Sequence, residues 1–141
     1  MKAIKIFLRL AIAISFLSAV ADRLGFWNKE IAVWGNWDNF LSYTQMINPW
    51  LPKSTVSTIG LLATVLEIVF AVCLMIGYRT EYFAKLSGYL LLIFALSMTF
   101  STGIKGAFDY SVFSASAAAF ALSTMHSLKY LEIDIVLNSK K

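Results

Sequence analysis

Four stretches of the chain are apolar at nearly every position, and the polar residues collect between them. The first runs from about Ala3 to Ala21, the second from about Ser54 to Gly77, the third from about Tyr82 to Ser101 and the fourth from about Tyr110 to Leu128. A helix that crosses about 30 Å of hydrocarbon needs about 20 mainly apolar residues at 1.5 Å each, so each stretch reads as one span. The runs are continuous and lack the short alternating segments of a membrane β-barrel. The pattern predicts an all-α, polytopic membrane four-helix bundle, with residues 1–141 forming a single membrane domain.

The extracytoplasmic loop 22–53 is longer than most connections, which marks it as functional or structured. Within Asn36 to Met46, the positions Trp37, Phe40, Leu41 and Thr44 recur at helical spacing. They predict a short amphipathic helix with Asn36 as its N-cap. Pro49 and Pro52 stop that helix, and Ser54 is the expected N-cap of the second span. Trp27, Trp34, Trp37 and Trp50 all fall in this loop. Two readings stand: the rings anchor the loop at the membrane surface, or the helix is a lid over an opening between spans.

Charge changes the picture by giving it a direction. Lys2, Lys5, Arg9, Arg79, Lys85, Lys129, Lys140 and Lys141 fall on one side, against Arg23, Lys29, Lys53 and Lys105 on the other. The excess predicts a multi-pass protein of the inner (plasma) membrane with both termini in the cytoplasm. Topology then accounts for the net charge of +4, which gives no reason to expect nucleic acid; lysines beside the membrane favour anionic lipid. Lys2, Lys5 and Arg9 ahead of an apolar run also imitate a cleavable signal peptide. Against that reading, Ser15, Ser18 and Asp22 share a helical face with Ala11 and Ala19, which suits a retained span packed closely on a neighbour.

The candidate chemistry is sparse. Cys73 is the only cysteine and His126 the only histidine, so neither a thiol pair nor bis-histidine ligation is expected, and no metal site. Glu67 stands out, near the centre of the apolar run Val56 to Ile76. A charge at the bilayer centre costs from about 2.5 to well above 10 kcal/mol, so an ionisable group there is a candidate functional residue turned toward other helices. Gly60, Ala63, Thr64 and Ala71 share its face. Arg9 is either its partner at equal depth or a cation that snorkels to the inner surface beside Lys5.

The hydroxyls of Ser97 to Gly103 are expected to bond one turn back. Gly106 is expected to break the chain before Asp109, Tyr110 and Ser111 open the fourth span, Asp109 favouring its N-terminus. Ser114, Ala117, Ala118 and Ala121 predict a tightly packed face. The outer ends gather Asp22, Arg23, Asp38, Tyr43, Lys105, Asp109 and Tyr110, a mixed-sign ring that is either solvated or binds a polar group.

Four segments taken in order, Arg9 to Trp27, Gly35 to Thr44, Leu62 to Gly88 and Ser97 to Phe120, resemble the DoxX family of small membrane proteins. That family is named for a small subunit of a thiosulfate:quinone oxidoreductase, and other members are associated with thiol-redox and oxidative-stress partners. The resemblance implies a four-helix bundle, a quinone-linked role and a recurring set of positions here occupied by Arg9, Asp22, Glu67 and Asp109. With no histidine pair, thiol pair or dinucleotide fingerprint, electrons must come from a redox protein partner or from the quinone.

The resulting expectation is a subunit or accessory factor that holds a quinone-like ligand, with no built-in cofactor and Glu67 as proton acceptor or hydrogen-bond anchor. Arg9, Ser18, Asp22, Trp37, Tyr43, Glu67, Asp109 and Tyr110 are its candidate ligand-binding residues. The alternatives are a catalytic subunit of a quinone oxidoreductase, a binding or transport protein for a lipid-like or small organic molecule, one that could act as a homo-oligomer, and a purely structural subunit.

Overall fold

The computed structural model describes residues 1–126 and 130–138. Among them lie seven helices and no strand: α1 (Lys2–Arg23), α2 (Trp37–Ile47), α3 (Lys53–Ile76), α4 (Thr80–Ser101), α5 (Ile104–Asp109), α6 (Val112–Ser123) and α7 (Ile133–Asn138). Three of them, α1, α3 and α4, are long and apolar enough to cross a membrane. Their ends fall within two residues of the boundaries read from the sequence.

The fourth stretch differs. Gly103, at φ 100°, makes the break expected at Gly106, and Gly106 lies inside α5. Asp109 ends α5 and opens nothing; Ser111, in the left-handed region, precedes α6 without a side-chain cap. At 12 residues α6 is about 18 Å long, short of a full crossing. The expected end of this span at Leu128, and Lys129, Lys140 and Lys141 of the charge count, lie outside the described residues.

Helix α1 packs on α3, α3 on α4, α4 on α6 and α6 on α1, while α2 lies across α3 and α4 and touches α1. Lys5 reaches both Glu81 at the start of α4 and the Met125 carbonyl beyond α6, and Arg9 reaches the last turn of α3, so neighbouring helices run in opposite directions. Ile12, Phe16, Phe70, Leu74, Leu90 and Leu122 fill the space between them. Small residues set the closest approach: Ser116 donates to the Gly88 carbonyl at 2.8 Å, and a Cβ on Gly88 would meet the Phe120 ring at 2.8 Å. The packed face of α6 is therefore Ser116, Ala119 and Leu122, whereas Ser114, Ala117 and Ala121 of the expected face are exposed. Ala117 and Ala121 flank the buried row by one helical step, a difference that uniform Ala and Ser composition leaves unmarked.

Two element ends depend on local chemistry. Asn36 caps α2, its side chain accepting from the Asn39 amide at 2.8 Å as the spacing predicts. Helix α3 starts one residue before the expected Ser54 cap, with Pro52 as N-cap and no side-chain cap bond. It stops at Gly77, in left-handed conformation at φ 71°, where Tyr78 N–H returns to the Cys73 carbonyl. Only glycine fits there, because a Cβ would lie 2.6 Å from both Arg9 Nη2 and the Glu132 backbone.

Polarity is distributed inside out. Phe7, Leu10, Ile14, Leu61, Val65, Val72, Ile93 and Phe100 cover the outside, while Lys5, Arg9, Arg23, Thr64, Glu67 and Ser87 are buried.

Candidate functional site

Glu67 is 2% exposed and turned into the protein, as its share of the Gly60, Thr64 and Ala71 face predicts. Its partner is Arg23, whose Nη2 lies 2.9 Å from Glu67 Oε2. Sequence reasoning had set Arg23 in a polar outer ring. The guanidinium also donates from Nη1 to Thr64 Oγ1 at 2.8 Å and from Nε to the Ala19 carbonyl at 3.2 Å. The Phe40 ring stacks 4.0 Å from its centre, with Trp34 at 5.3 Å, so two aromatic faces of the loop cover the cation. The ion pair is close but not aligned as a hydrogen bond, and Oε2 keeps acceptor capacity.

Beside this pair lies a cavity of about 660 Å³, within the range of small-molecule sites. Five helices wall it. Ile12, Ser15 and Phe16 come from α1, Phe40, Tyr43 and Thr44 from α2, Gly60 and Ala63 from α3, Phe94, Ser97 and Met98 from α4, and Ser114 and Ala118 from α6. Among the described residues, Arg23 and Glu67 are the only charged ones on the wall. The remaining polar groups are neutral hydroxyls and amides, with Trp34 Nε1 buried and lacking a hydrogen-bond partner among the described residues. Burial, with Tyr110 as the lesser cause, raises the Tyr43 phenol above its ordinary pKa, so it is a neutral donor at physiological pH.

Of the expected ligand-binding residues, Tyr43, Glu67 and Tyr110 line the cavity. The other five lie elsewhere. Asp22 accepts from the amides of Val33 at 2.7 Å and of Trp34 and Gly35 at 2.8 Å, folding the loop back over the end of α1. Ser18 gives its carbonyl to Trp27 Nε1, and Trp37 packs on Phe40 at 5.2 Å. Asp109 pairs with Lys105 on the exposed surface. Arg9 neither meets Glu67 nor snorkels: it is buried and donates to the carbonyls of Leu74, Met75, Tyr130 and Leu131. It thus caps the free carbonyls of α3 and holds the segment before α7. Lys5 completes that end, 3.0 Å from Glu81 and 2.6 Å from Glu132, which is also buried.

Arg23 was missed because its depth was misjudged. Counting residues from Lys53 assumes that α3 starts level with the end of α1, whereas α2 packs over the end of α1 and sets Arg23 beside Thr64. The available signal was angular: Arg23 follows Ile12, Phe16 and Ala19 on one helical face, which is the buried one.

The chain matches no family model, no curated protein and no solved structure.

Proposed function

We propose that this chain is a small plasma-membrane protein of DoxX type whose cavity holds a quinone-like ligand, acting as a subunit or accessory factor of a redox system. In this reading α1, α3 and α4 cross the bilayer, α5 and α6 together complete a four-helix bundle, and both termini lie in the cytoplasm. The inside-out distribution of polar residues supports the membrane setting, because apolar side chains on the outside lose nothing to lipid while buried charges find partners.

One observation carries the ligand: an apolar cavity of about 660 Å³ built around the buried Arg23–Glu67 ion pair. A purely structural pair has no use for that space, whereas a ring-sized ligand does. A bound quinone would supply redox chemistry that couples electrons to protons. The chain's own part is to fix the Glu67 carboxylate with Arg23 at the cavity wall, where that carboxylate is the acceptor for a ligand hydroxyl. Tyr43 is the donor that a ligand carbonyl needs. Helix α2, with Trp34 ahead of it, serves as the roof.

Native mass spectrometry of gently purified protein, with quenching of tryptophan fluorescence by a short-chain benzoquinone, tests this reading. Retained quinone and saturable quenching are expected. Glu67→Gln should weaken binding by about tenfold, the worth of one hydrogen bond to a charged group. Protein that retains no quinone-like molecule and shows no saturable quenching would leave the ion pair a helix-register device.

A further inference from the structure

We propose that the cavity opens sideways, between α1 and α6, and that its occupant is an uncharged amphiphile whose hydrocarbon chain lies in that opening. The proposal rests on the reading that the cavity holds an apolar ligand, and adds its route and its class.

Elimination locates the opening. The side between α1 and α3 is shut by Arg23 on Glu67 and Thr64. Between α4 and α6 it is shut by Gly88 against Phe120 and by the Ser116 bond. Between α3 and α4, bulky Ile59 and Ile93 stand on the wall, and Ser97 of α4 donates at 3.0 Å to Asn48 at the end of α2, which ties the roof to this side. The α1–α6 side is different. Its inner end is closed by Lys5 on the Met125 carbonyl, but among the described residues no hydrogen bond or ion pair joins α1 to α6 themselves. Because α6 begins only after the turn at Ser111 and has 12 residues, it covers less of α1 on this side than a full-length span would. There α1 presents Ala11 and Ser15, and α6 presents Ser114 and Ala118. All four line the cavity, and Ser15 and Ser114 are exposed.

Charge defines the occupant. Arg23 and Glu67 neutralise each other, and among the described residues no other wall residue is charged. An anionic head would enter a desolvated space with no free counter-charge, so fatty acids and acidic phospholipids are disfavoured. A neutral head with hydroxyl or carbonyl groups matches the donors and the acceptor already there, and its chain leaves past alanine and serine into lipid. Isoprenoid and acyl chains share this chemistry.

The experiment uses the full chain in detergent, two probes, a benzoquinone bearing a decyl chain and the same head bearing only a methyl group, and two competitors, oleyl alcohol and oleate. Filling the opening with Ser15→Phe and Ser114→Phe should weaken the decyl probe by about tenfold or more and spare the methyl probe, since a blocked chain forfeits its contacts. Ala117→Phe, exposed on α6 but off the cavity wall, should change neither. Oleyl alcohol should displace the decyl probe and oleate should not. Undiminished decyl binding in the double variant overturns the route, and equal competition by oleate overturns the class. Wild type that binds neither quinone probe removes the ligand itself. If the double variant folds poorly, a neutral probe with a photoreactive group along its chain decides in wild type: crosslinks at Ala11, Ser15, Ser114 or Ala118 support the route, and crosslinks confined to Ile59 and Ile93 overturn it.

Discussion

Glu67 and Arg23 show what a buried charge requires of its neighbours. Taking either side chain away strands the other in a desolvated space, which typically costs about 3–5 kcal/mol, whereas replacing both with apolar residues of similar size is often tolerated. Arg23→Met and Glu67→Met should therefore each lower the thermal midpoint strongly, and the double variant should lose much less than the sum. Additive losses in a melting series would show that the two act independently. The orientation of Glu67 was legible in the sequence, because four small or polar residues at helical offsets mark its face. Its partner was not, since depth along a helix follows residue counts only when the helix ends are level, and α2 removes that condition here.

Among the elements, the loop after α1 owes its shape to one carboxylate. Asp22 gathers three consecutive amides, from Val33, Trp34 and Gly35, and so sets Trp34 over Arg23. Asp22→Ala should leave the helix content unchanged, speed amide exchange at those three positions by about tenfold or more, and expose residues 24–36 to proteolysis, because each charge-assisted bond is worth about 1.5–3 kcal/mol. Unchanged exchange there would mean that packing alone holds the roof. The elements themselves were read with different success. The ends of α1, α3 and α4 followed from long apolar runs flanked by polar residues, and α2 from its Asn36 cap and its periodicity. The break before α6 did not follow, since Gly103 and Gly106 are equal candidates until the backbone is seen, and alanine and serine give α6 no distinct apolar stripe.

For the whole molecule, the arrangement places each polar cluster at one level: Lys5, Arg9, Glu81 and Glu132 at one end, Arg23 and Glu67 nearer the other. In the proposed orientation Lys29 faces outward and Lys85 faces the cytoplasm, and both are exposed. With Cys73 replaced by alanine, Lys29→Cys should react with a membrane-impermeant maleimide on intact cells, and Lys85→Cys only after permeabilisation. The reverse pattern would invert the topology, and equal labelling from outside would dismiss the bilayer setting. The cavity is a property of this scale too, which is why the sequence did not show it: five helices contribute to its wall, and no one of them carries a motif for it.

The order of synthesis gives the inner cluster a second consequence. Lys5 waits 76 residues for Glu81, and Arg9 waits 121 and 122 residues for the carbonyls of Tyr130 and Leu131. In the proposed orientation α1 is therefore made with Lys5 and Arg9 still without these partners, which favours keeping its start on the cytoplasmic side. Residues 130–132, the last of these partners to emerge, then give the Tyr130 and Leu131 carbonyls to Arg9 and the Glu132 carboxylate to Lys5, so a nascent chain halted short of them would lack that latch.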